Sequence, residues 1–164
     1  MSLTRRQIVA AALGAGLAAA GPASARASAV SGLELLLSYE HRLADAYRAA
    51  LSRGAIDEAL GTSLLAQERE HVRGVERALE GRGPRRPVAT VPPGEQRSVL
   101  SDRRAFARYA LALESQTVAA YVRVLATLDA PELRQPLGSI MTAGAQHQVA
   151  LRNVLGEPLL RGVA

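Results

Sequence analysis

Five side chains able to hold a metal ion stand where a helical protein would be expected to place leucine. Leu33, Leu36, Leu37, Leu43, Ala44, Tyr47 and Leu51 recur at helical spacing, and Glu40 falls inside that stripe. Leu60 and Leu64 lead in steps of four to Glu68, followed by His71, Val75 and Leu79. Glu68 and His71 thus form Glu-x-x-His, neighbours on one helix face. Phe106, Ala110, Glu114, Thr117, Tyr121, Val124 and Leu128 make a third stripe with one carboxylate. The fourth runs Leu137, Ile140, Gly144, His147, Leu151 and Leu155, with glycine where a paired glutamate would stand. Carboxylates buried together lose solvation and repel one another unless protons or cations neutralise them. One or two divalent ions supply that neutralisation. Oxygen donors with two imidazoles suit iron or manganese, and zinc is compatible. Three carboxylates leave two such ions with one positive charge for an added hydroxide, phosphate or small carboxylate to balance. Gly144 also predicts a hole beside the site. The competing expectation is a metal-free polar core in which protonated His71 and His147 pair with the glutamates.

Positioning these groups is work for helices. Strand signals are missing: there is no sustained alternation and only three isoleucines. Ser31-Gly32-Leu33-Glu34 reads as a capping box that opens a first helix to about Ser52, before Gly54. A second helix is predicted from about Ile56 to Glu80, ended by Gly81. Residues 81–100 carry Pro84, Pro87, Pro92 and Pro93, which suits a long surface connection. Ser101 is expected to cap a third helix to about Leu128. Asp129-Ala130-Pro131 turns into a fourth, which Pro136 should kink or restart, leaving a main body from Leu137 to Leu155 before Gly156. Short turn, long crossing, short turn is the connectivity of a four-helix bundle with one crossover. The halves also repeat: Glu40 to Leu51 aligns with Glu114 to Leu125, matching Glu40 with Glu114 and Tyr47 with Tyr121. Two such hairpins about a pseudo-twofold axis would bring Glu40, Glu68, His71, Glu114 and His147 toward one point. Tyr47 and Tyr121 are expected in the core, within reach of a carboxylate. His41, Glu70, Arg73 and the Arg82–Arg86 cluster read as surface.

Composition narrows the chemistry further. The 164 residues hold no cysteine, which removes disulfides, Fe–S clusters, thiol catalysis and thiolate zinc sites. All 20 basic residues are arginine, so Schiff-base chemistry has no lysine. Residues 1–27 read as an export signal: Arg5 and Arg6, an apolar run from Ile8 to Ala20, and small-residue cleavage sites after Ala25 or Ala27. The run is too short to span a bilayer. Thr4-Arg5-Arg6-Gln7-Ile8-Val9 resembles the twin-arginine motif. The expected location is therefore the periplasm or cell envelope, with residues 28–156 as the bundle and 157–164 as a tail. The formal charge of +5 shrinks once Arg5 and Arg6 leave with the signal, and few aromatics remain to stack on bases, so nucleic-acid binding is not expected. No membrane span is expected in the mature chain, and a homodimer is compatible with the sequence.

On these residues, and above all on Gln67-Glu68-Arg69-Glu70-His71-Val72 and Ala112-Leu113-Glu114 through Ala120-Tyr121, residues 30 to 156 resemble the ferritin-like superfamily. The likeness is to exported bacterial ferritin-like domains, some of them called desiccation-related. That resemblance implies an all-α ferritin-like bundle with metal ligands Glu40, Glu68, His71, Glu114 and His147. Glu40 and Glu114 would be terminal ligands, Glu68 a bridge, and metal oxidation or sequestration the chemistry. Gly144 departs from the pattern of Glu-x-x-His on the fourth helix. A metal-free bundle with a structural, stress-related or partner-binding role is the alternative.

Overall fold

A computed structural model describes residues 22–82, 100 and 102–158. Among them are four α-helices and no strand: α1 Pro22–Ser52, α2 Glu58–Leu79, α3 Arg103–Thr127 and α4 Pro131–Leu155. The expected all-α bundle is what forms. Asp57 starts α2 by accepting from the Leu60 amide at 3.0 Å, and Asp102 starts α3 by accepting from the Ala105 amide at 2.8 Å. Pro131 sits in the first turn of α4, where no intrahelical N–H is lost. At the other end Gly156 takes φ +68°, and its amide reaches back to the Arg152 and Asn153 carbonyls.

The start of α1 differs from expectation. Ser31 caps nothing; it lies exposed within a helix that already begins at Pro22. Residues 23–29 alternate alanine with serine and arginine and contain no breaker, so the backbone stays helical. Arg26 also ties this turn down, donating to the Gly81 carbonyl at 2.7 Å. Ala29 is buried there. The second helix begins at Glu58 rather than Ile56, because Ile56 is buried in the turn and Asp57 supplies the cap. Asp102 holds the capping role expected of Ser101, which lies outside the described residues. Pro136 does not restart α4, which runs unbroken from Pro131. Its ring is exposed, and the loss is confined to one hydrogen bond to the Glu132 carbonyl. Residues 1–21, which hold most of the expected export signal, and Arg85 and Arg86 lie outside the described residues.

Each helix pairs with two others, α1 with α2 and α3, and α4 with α3 and α2. Arg104 donates to the Leu155 carbonyl at 3.1 Å, so α3 starts where α4 ends. Arg82 pairs with Glu132, so α2 ends where α4 starts. Leu79 and Arg103 therefore occupy opposite ends of the bundle, and the link between them must traverse a length of roughly 35 Å. This is the predicted crossover; residues 83–99 within it lie outside the described residues. No described helix is long and apolar enough to cross a membrane.

The interior is layered. One apolar cluster gathers Leu43, Tyr47, Leu64, Phe106, Leu113 and Leu151. The other gathers Leu33, Leu36, Val75, Tyr121, Val124 and Leu137. Glu40, Glu68, His71, Glu114 and His147 are buried yet belong to neither, and in sequence each falls between members of the two clusters. They form a polar layer between two apolar ones.

Candidate metal centre

All five predicted ligands meet in that layer. Glu40 comes from α1, Glu68 and His71 from α2, Glu114 from α3 and His147 from α4, and the most exposed of them, His71, is only 8% exposed. They form two groups, Glu40–Glu68–His71 and Glu68–Glu114–His147, each with its ligand atoms within 4.8 Å of one another. Glu68 belongs to both. Its Oε2 lies 3.4 Å from His71 Nδ1 and its Oε1 2.8 Å from His147 Nδ1. The outer carboxylates complete the pairs: Glu40 Oε2 is 3.5 Å from His71 Nδ1, and Glu114 Oε1 is 3.1 Å from His147 Nδ1. The imidazole rings stack at 5.6 Å.

Tyrosines hold the outer carboxylates from behind. Tyr47 donates to Glu114 Oε1 at 2.8 Å, and Tyr121 donates to Glu40 Oε1 at 2.7 Å. Each bond crosses between α1 and α3, so the sequence repeat becomes a reciprocal pair and fixes the two helices as antiparallel. Glu40 Oε2, both oxygens of Glu68 and Glu114 Oε2 accept no hydrogen bond although buried. Buried carboxylate oxygens without donors are costly. Bonds of about 2.1 Å to an octahedral ion place adjacent donor atoms about 3.0 Å apart. The observed spacings of 2.8–3.5 Å bracket that figure. The donor set therefore fits one or two divalent ions.

Without an ion, protons must serve. Burial pushes Glu40 up to about 7, and burial likewise raises Glu114. Burial acts on Glu68 in the same direction, but the imidazoles of His147 and His71 beside it outweigh burial and bring Glu68 down to about 2. Burial opposes charge on the imidazoles too, yet Glu40 and Glu68 hold His71 up to about 10, and Glu114 and Glu68 hold His147 up to about 9. The metal-free layer is thus two imidazoliums around an ionised Glu68, with the outer carboxylates inclined to keep protons.

A family model described as "Ferritin-like domain" matches residues 28–157. The chain belongs to the ferritin-like family. No curated protein and no solved structure matches it. Within this ferritin-like bundle Gly144 stands beside the site, but the expected hole is not there. A Cβ at 144 would lie 3.2 Å from Val118 Cγ2 and 3.5 Å from Glu114 Oε2. Val118 has closed over the position. His41 is half-buried and belongs to neither group of potential ligands, while Glu70 and Arg73 pair on the exposed surface. Gln67 joins the site although the stripe pattern assigns it no role. Its Oε1 lies 3.2 Å from His147 Nε2. Gln67 falls one residue off the apolar stripe and is mostly exposed, so periodicity could not flag it.

Proposed function

We propose that this chain is an exported ferritin-like protein that binds a pair of iron or manganese ions between its helices. The observation that carries this is the Glu68 carboxylate, buried with both oxygens lacking hydrogen bonds and each turned toward a different histidine and outer glutamate. Glu68 would bridge, with Glu40 and His71 on one side and Glu114 and His147 on the other. Iron or manganese at such a site supplies reversible one-electron chemistry between the divalent and trivalent states, which suits oxidation or sequestration of the metal. The chain's own part is to orient Glu40 and Glu114 through Tyr121 and Tyr47 and to exclude water with the flanking apolar clusters. Export rests on the leader of residues 1–27.

Elemental analysis of the mature protein, purified without chelator from its exported location, tests this. About two iron or manganese ions per chain are expected. Replacing Glu68 and His71 together by alanine should abolish uptake while the helical circular dichroism persists; retained stoichiometric metal overturns the assignment. The metal-free reading draws support from Gly144, which removes the fourth carboxylate. It predicts no metal in the native protein and uptake only after Gly144→Glu.

A further inference from the structure

We infer that Gln67 is a positioning residue for His147, and that it makes the Glu68–Glu114–His147 half of the centre the tighter of two unequal halves. The inference rests on the metal reading above and says which half loads first. His147 is 2% exposed, with Nδ1 facing Glu68 and Glu114 and Nε2 facing outward. The outward nitrogen meets Gln67 Oε1 at 3.2 Å. The Gln67 amide is oriented by a second bond, from its Nε2 to Ser63 Oγ at 3.3 Å, one turn earlier on α2. With its NH2 directed at Ser63, the amide offers only its oxygen to the imidazole. His147 must therefore donate Nε2–H there, which fixes the ring and leaves the Nδ1 lone pair for an ion once the Nδ1 proton departs.

His71 has no such support. Its Nδ1 lies 3.4 Å from Glu68 and 3.5 Å from Glu40, looser than the 2.8 and 3.1 Å around His147. Among the described residues none accepts a hydrogen bond from its outer nitrogen. The sequence gives the reason. Setting α2 on α4 so that His71 meets His147 places Gln67 against Ala143, whose methyl group cannot accept. One half of the centre has kept an outer anchor, and its mate has none.

Cobalt(II) titrations of the full chain, followed by the visible bands of the bound ion, decide this. Loss of such an outer partner costs about 10- to 100-fold in affinity. Gln67→Leu, similar in size but without an acceptor, should weaken the tightest uptake step by about that factor and leave any weaker step unchanged. Gln67→Glu, which keeps an acceptor, should restore it. In 15N spectra of the zinc-loaded chain His147 should appear as the Nε2–H tautomer, with a proton that exchanges faster with water in Gln67→Leu. A merely structural role would weaken all steps together and leave the exchange rate of the Nε2 proton unmoved. That result, or a Gln67→Leu titration that superimposes on wild type, overturns the assignment while the metal reading stands. Failure of the wild-type chain to take up cobalt overturns both.

Discussion

Glu40 and Glu68 lie in one buried layer, about as exposed as each other, yet their surroundings push them in opposite directions. Glu40 is raised from 4.5 to about 7, first by burial, so the folded chain holds its proton more tightly than the unfolded chain does. The cost of ionising it in the fold builds as pH rises from 4.5 to about 7 and persists above. Glu40→Gln in the metal-free protein should accordingly raise stability at pH 8 by about 1–3 kcal/mol and change little at pH 4. Glu68 is lowered to about 2 against its own burial, so its stabilising effect is present above 4.5 and fades as pH falls toward 2. Glu68→Gln should therefore cost about 3–5 kcal/mol at pH 7, because it leaves two buried imidazoliums short of their shared counter-charge. Urea denaturation of both variants with chelator present reads the difference. Equal signs would mean that the two carboxylates share one environment, contrary to the donor pattern. Tyr121→Phe should cost about 1–3 kcal/mol, since it strands the buried Glu40 Oε1, and Tyr47→Phe should cost less, since His147 still reaches Glu114 Oε1.

At the scale of the helices, the stripes were legible because apolar periodicity is a packing signal, and Glu40, Glu68, Glu114, His71 and His147 stood out by interrupting it. Their convergence was legible for the same reason, since the repeat of Glu and Tyr at seven-residue separation puts both on one face of α1 and α3. The start of α1 was not, because Ser31 carries a cap signature and only tertiary contacts from Arg26 and Ala29 show that the preceding turns stay helical. Gln67 was invisible because its role is set by a helix 80 residues away in sequence. The closed space at Gly144 depends on Val118, whose reach no spacing rule gives. Pro136 shows a packed helix overriding a local breaker: α4 continues through it although no N–H is available for the Glu132 carbonyl. Restoring that donor with Pro136→Ala, at an exposed position, should stabilise the bundle by about 1–3 kcal/mol and raise its melting temperature. No change would mean that the bond is already replaced by water.

Across the whole molecule, the layered core makes ion uptake and folding parts of one equilibrium. The five ligands come from all four helices, so an ion held between them resists separation of the hairpins α1–α2 and α3–α4. An ion that binds only the folded chain adds about 2.7 kcal/mol at a hundredfold excess over its dissociation constant, and the melting temperature should rise on adding manganese or iron(II) and fall back with chelator. Protons oppose this. His71 and His147, held up to about 10 and 9, carry protons throughout the neutral range, and an ion must displace them to reach the Nδ1 lone pairs. Each displaced proton makes apparent affinity rise about tenfold per pH unit below the imidazole value. Cobalt titrations at pH 6, 7 and 8 should therefore show binding that tightens steeply with pH, with protons released into a weakly buffered solution as each ion enters. The gain should flatten above about 9, where His147 is already neutral. Affinity independent of pH between 6 and 8 would mean that the histidines are neutral in the free protein, and that the glutamates, rather than imidazolium charges, bear the cost of the empty core.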